Sequence, residues 1–312
     1  MAGVLLVCVA ACLWGTVGVA SALMSATGQA DPFILAFART GLGAVCLLGV
    51  AGWLRLPWPE RGTFPIGLIL IFGVGAATFQ IFLFAAFAHV GITETVAVTV
   101  CAPVLLVALA DALWARSVPH WGVLVAIGLG ALGVVMAVPT AAGDAAGLLS
   151  GGQAFLLLGG ASVAFAVLAI ATRKLTRRLH PVRAAGLGLA VSSVLLLGAC
   201  AAMARPVGLS GLGALSWPDT LILLYIGIGA TGGAYLAFVF GMHLSSSAPA
   251  GLAASMIEPG VAALLAALLL QERLTVSALV GCTLMMLAMV LLAREERRRV
   301  PPAAGAAGLI SP

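Results

Sequence analysis

A single carboxylate in the middle of a long apolar stretch is the first residue here with chemical potential. Within Ala248–Thr275, APAGLAASMIEPGVAALLAALLLQERLT, Glu258 is followed at once by Pro259. A carboxylate at bilayer depth loses much of its hydration unless it faces a cavity or a partner, so its default reading is functional. Pro259 lacks an N–H and clashes one turn back, which frees the carbonyl of Ser255 and bends a helix. Pro103 does the same to the carbonyl of Thr99, and both freed carbonyls belong to hydroxyl residues that can serve local backbone groups. A glutamate that merely orients the bend is the alternative. Arg39 lies a third of the way into another apolar stretch and needs a carboxylate, a backbone carbonyl or an anionic substrate group. Gln80 and Tyr235 sit mid-stretch, where they either line a pocket or bond helix to helix. Trp14 and Phe165 stand at equivalent depths and read equally well as cavity walls or as packing. The expectation is that Trp14, Arg39, Gln80, Phe165, Tyr235 and Glu258 border one central space for a small-molecule substrate.

The elements that must position these groups are helices in a membrane. Of 312 residues, 62% are hydrophobic and only 8% charged, which excludes an ordinary soluble domain. At about 20 residues per span, the apolar stretches fall at roughly 3–24, 33–53, 64–87, 92–113, 120–138, 151–172, 183–204, 219–241, 248–270 and 276–293. No connection between them has room for a soluble domain, so the expected fold is all-α, a polytopic bundle of ten transmembrane helices. With a cytoplasmic N-terminus, the inner loops and tail hold Arg55, Arg61, Arg116, Arg173, Lys174, Arg177, Arg178, Arg183, Arg294, Arg297, Arg298 and Arg299. The outer loops hold Arg205 and Arg273 alone. That bias places both termini in the cytoplasm of a cell (inner or plasma) membrane protein. It also excludes nucleic acid as a partner, because the positive charge forms no continuous basic stripe. The six cysteines lie inside the spans without a C-x-x-C pair, so neither a disulfide framework nor a metal site is expected. VAAC, ending at Cys12, has the look of a lipoprotein processing box, but no basic residue precedes it and the apolar run continues past it, so cleavage is not expected.

The chain repeats itself. Gly73–His89, GVGAATFQIFLFAAFAH, aligns without a gap on Gly227–His243, GIGATGGAYLAFVFGMH. Asp31-Pro32 corresponds to His180-Pro181, and Pro103 to Pro259. Residues 1–140 and 151–293 therefore read as two five-helix repeats, with 294–312 a basic, disordered cytoplasmic tail. Five spans per half force the second half to enter the membrane from the opposite side. Such inverted repeats are typical of secondary transporters, whose site lies between the repeats near the midplane. Glu94 opens the fourth span and reads as a solvated acid at a helix N-terminus. Asp111 near that span's far end is ambiguous. His89 and His243 read as interfacial caps at least as well as proton sensors.

With these residues in place, the chain resembles the drug/metabolite transporter superfamily in its ten-span EamA-like branch. The likeness rests on Leu13-Trp14-Gly15-Thr16, on Asp31-Pro32 with Arg39-Thr40, and on Glu258-Pro259 followed by Glu272-Arg273-Leu274-Thr275. It covers the chain to about Ala293. The resemblance implies export of amino acids, related metabolites or toxic compounds by alternating access, with no cofactor. Ala115-Arg116-Ser117-Val118 and Ala102 depart from the pattern, so the carboxylate is kept in the second repeat alone. Glu272-Arg273 reads as a structural pair at a helix end. No H-E-x-x-H, G-x-S-x-G or paired-aspartate motif points to an enzyme. The rival within transport is an uncoupled facilitator or exchanger, or an importer, of a small polar metabolite. Glu258 permits proton coupling without requiring it. A monomer or weak homo-oligomer is expected.

Overall fold

The computed structural model describes residues 2–26, 32–58, 64–114, 120–137, 151–202, 215–244, 257–272 and 275–299. Among them every regular element is a helix. Eight helices are long and apolar enough to cross a membrane, and Trp121–Ala137 and Ile257–Leu269 are shorter apolar helices. Span one is Ala2–Gly15 continued by Val17–Ala26, span two Pro32–Trp53, span three Ile66–His89, span four Ile92–Trp114 and span five Trp121–Ala137. Spans six and seven are Gly151–Leu175 and Pro181–Ala202. Span eight is Trp217–Leu224, then a π-helical segment Tyr225–Gly233, then Ala234–Leu244. Ile257–Leu269 is span nine and Val276–Arg299 span ten. Ser255, the linker at 140–150, the loop at 115–118 and Arg273 lie outside the described residues.

Helix packing repeats under a shift of five spans. Span two packs along seven, five along ten and four against nine, each helix meeting its own counterpart. Span three runs along six as eight does along one; three meets seven as eight meets two; four meets six as nine meets one. The symmetry reaches individual residues. A Cβ on Gly73 would come within 2.6 Å of Val191 Cβ, and one on Gly227 within 2.5 Å of Leu42 Cβ. Gly73 and Gly227 are the matched glycines of the repeat, and each lets a neighbouring span approach closely. The bundle is thus an all-α fold of two five-helix repeats, inverted because five is odd.

Helix ends depart from the expected picture in two places. Span two closes with Leu56 N donating to the Ala51 carbonyl and Arg55 N to that of Gly52, while Arg55 is left-handed at φ 50°. This is a Schellman stop. Arg183, expected simply as an inner-loop charge, is buried and donates from Nε to the Leu56 carbonyl at 3.0 Å and from Nη2 to that of Ala51 at 3.4 Å. Its guanidinium lies 3.9 Å from the centre of the Trp58 ring. Span ten continues as helix through the basic cluster to Arg299, where a disordered tail from 294 was expected. Arg and Glu are strong helix formers, and the Glu295 carboxylate lies 2.8 Å from His120 Nδ1.

Candidate functional site

Four spans are irregular. Span one breaks at Thr16, whose hydroxyl donates to the Leu13 carbonyl at 2.7 Å in place of a regular helical turn. Span four carries Pro103 internally; the Thr99 hydroxyl turns back one turn to the Thr95 carbonyl at 2.7 Å. Span nine has Pro259 in the first described turn, a position where its missing N–H is tolerated. Whether a bend runs back to Ser255 lies outside the described residues. Span eight opens into the π-segment, a rare geometry concentrated at functional positions. Non-regular backbone at membrane depth is tolerated where protein or a cavity covers it.

Arg39, on span two, is held against the irregular span eight and against span three. It is 8% exposed, donating from Nε to Thr231 Oγ1 at 2.9 Å and from Nη1 to Gln80 Oε1 at 3.0 Å. Thr231 can accept because its own proton goes to the Ile226 carbonyl five residues back, at 2.8 Å, a bond that the wide π-turn puts within reach. Spans two, three and eight are thereby tied through one guanidinium whose acceptors are both neutral. Gln80 is 5% exposed, so in this arrangement it bonds helix to helix through Arg39.

The aromatic residues fall into two groups. Trp14 meets Tyr235 edge-on and Phe238 at a tilt, with ring centroids 5.5 Å apart in both cases. Phe165 packs on Phe79 at 4.9 Å, so its contact is with span three rather than with Trp14. Phe165 and Tyr235 border the same apolar cluster of spans two, three, six and seven. Glu258 is half-buried. Its backbone carbonyl touches span one, where a Cβ on Gly15 would lie 2.8 Å away. The Glu258 carboxylate, the Arg39 guanidinium and the Tyr235 hydroxyl lie within electrostatic reach of one another. Among the described residues no ion pair joins Glu258 to Arg39. Of the six residues, Arg39 meets Gln80 and Trp14 meets Tyr235, while Phe165 packs on Phe79.

Sequence reasoning passed over Thr231, Phe79, Phe238 as a ring partner, and Tyr225, whose hydroxyl lies 2.7 Å from Thr16 Oγ1. The repeat contained the signal for Thr231. It aligns with Ala77, one turn before Gln80, and so stands at the depth of the glutamine.

No curated protein matches the chain. A solved structure described only as "Crystal structure of protein" is 22% identical over 96% of this chain and 99% of its own, with a TM-score of 0.63. That likeness concerns the fold. The sequence pattern of the EamA-like transporter family matches residues 1–138 and again 152–294. An all-helical bundle with irregular membrane helices around a buried arginine is consistent with that match, and the chain belongs to the EamA-like transporter family.

Proposed function

We propose that this membrane transporter exports small metabolites, amino acids or drug-like compounds, by alternating access between two repeats with boundaries near 1–140 and 151–293. The substrate sits among Trp14, Arg39, Gln80, Phe165, Tyr235 and Glu258. The observation that carries this reading is Arg39, buried on two neutral acceptors and, among the described residues, joined to no carboxylate. A guanidinium has five N–H donors, and Gln80 and Thr231 occupy only part of that capacity. An amino-acid-like zwitterion fits such a pair, with its carboxylate toward Arg39, its ammonium toward Glu258 and its side chain against Trp14 and Tyr235. The bias of basic residues supports a cell membrane location with both termini cytoplasmic.

The test is efflux of a panel of labelled amino acids and drug-like compounds from cells expressing the protein. Faster loss of at least one class is expected, and Arg39→Ala abolishes it. Equal loss of every compound from expressing and control cells removes the export reading.

A further inference from the structure

At the end of the bundle where span four begins, a pair of carboxylates lies between the two repeats. Span nine stops with Gln271 left-handed at φ 53° and Glu272 N donating back to the Ala266 carbonyl at 3.2 Å. This turn aims the Glu272 side chain across to the other repeat. There it accepts from Ile92 N at 2.8 Å, Thr93 Oγ1 at 2.9 Å and Thr93 N at 3.4 Å, capping the start of span four. Glu94, expected as a solvated acid, is instead 7% exposed, and its Oε2 is buried without a hydrogen-bond partner. Both side chains crowd Gly91, which is left-handed at φ 118°. A Cβ there would stand 2.5 Å from Glu272 Oε1 and 2.8 Å from Glu94 Oε2. The two oxygens are thus no farther apart than those distances together.

We propose that Glu94 and Glu272 bind one proton between them, and that this shared proton latches span four of the first repeat to the nine–ten connection of the second. With Glu94 protonated, its O–H donates to Glu272, and Glu272 remains an anionic cap on the helix N-terminus, where negative charge is favoured. With both ionised, two carboxylates face each other in a largely dry site and repel. The surroundings offer little relief. Span ten presents Cys282 to Glu94, His89 at the end of span three is exposed, and Glu258 on span nine is a further acid. Arg173 and Lys174 lie at the opposite end of span six. Val17–Ala26 of span one and the whole of span five contain no titratable side chain. Arg273 lies outside the described residues.

Hydrogen exchange at the Ile92 and Thr93 amides reads the latch directly, because both donate to Glu272. The measurement uses the full chain, purified in detergent, from acidic to alkaline pH, with intrinsic base-catalysed exchange divided out. A shared proton predicts that protection falls as pH rises, by about tenfold for roughly 1.4 kcal/mol of repulsion. Glu94→Gln, which keeps a donor toward Glu272, holds protection high and independent of pH. A plain carboxylate cap predicts the reverse, protection flat or rising with pH, and that profile in the unmodified protein overturns the proposal. A Glu94→Gln protein that retains the fall with pH also overturns it. The unmodified profile decides alone should the variant not fold. Neither reading depends on what the protein carries, so failure of the export assay and failure of the latch are separate results.

Discussion

Arg39 ties three helices with two hydrogen bonds to neutral acceptors, and removing either acceptor leaves a buried charged donor unsatisfied. Gln80→Leu and Thr231→Val are each expected to lower stability by about 1–3 kcal/mol, read as a lower Tm of the purified protein. Unchanged melting in both would mean that the guanidinium finds other acceptors. Thr231→Val also removes the donor to the Ile226 carbonyl, so its loss should be the larger. Glu258 calls for a different experiment. If it takes up and releases a proton in the cycle, Glu258→Gln should abolish efflux driven by a pH gradient while sparing counterflow exchange. Gradient-driven efflux that persists in a well-folded Gln protein removes the coupling role. At this scale the sequence was partly readable: Arg39 and Gln80 stood out because polar groups deep in apolar runs demand partners. Their mutual bond was not readable, since uniformly apolar helices carry too little periodicity to fix which face turns inward. Glu94 misled for a related reason. Its place at the start of a span suggests water, whereas it is buried, and the Glu272 that stands with it against Gly91 comes from far along the chain.

Helices here are brought together by glycine, and the effect of filling each gap depends on what stands opposite. Gly73→Ala and Gly227→Ala would press against Val191 and Leu42, and each is expected to destabilise by about 1–3 kcal/mol through overpacking. Gly49→Ala and Gly128→Ala meet nothing within 4 Å. They should instead be neutral or stabilise by roughly 0.5–1 kcal/mol, because alanine loses less backbone entropy in a helix. Thermal unfolding of the four variants separates the two pairs, and equal effects would refute the packing pattern. The helical spans themselves were legible from apolar length alone, because lipid requires every backbone group to be satisfied within its segment. The π-segment at Tyr225–Gly233 was not. Nothing in YIGIGATGG distinguishes a wide turn from a regular one, and what accompanies it is packing against span two, with Gly43 against Thr231 and Gly232 against Cys46.

For the whole molecule, the repeat makes the membrane orientation of one half dictate that of the other. The most extensive packing pairs map onto one another under a shift of five spans, and an odd span count reverses direction, so the two halves cannot enter from the same face. The symmetry is broken in its chemistry. The position matching Arg39 in the second half, counted from Pro32 and Pro181, is Gly188, whose missing side chain leaves room for the ring of Phe72. Arg39, Glu258 and the Glu94–Glu272 pair therefore break the two-fold pattern of the scaffold, which gives the two faces of the protein different properties. Which face is which rests on the basic residues. Arg183 is spent on capping span two, yet Arg173, Lys174, Arg177 and Arg178 crowd the stretch where span six ends and the turn to span seven begins, and such a cluster of positive charge favours the cytoplasmic side. A topology reporter fused after Arg177 should therefore read cytoplasmic, and one inserted between residues 140 and 150 should read external. Replacing Arg173, Lys174, Arg177 and Arg178 together by Gln should weaken or reverse the bias, seen as mixed signals from both fusions. Opposite readings from the two unmodified fusions would reverse the assigned orientation and turn the Glu94–Glu272 end toward the cytoplasm. Identical readings from both would contradict a single crossing by span six, and with it the inversion of the repeats.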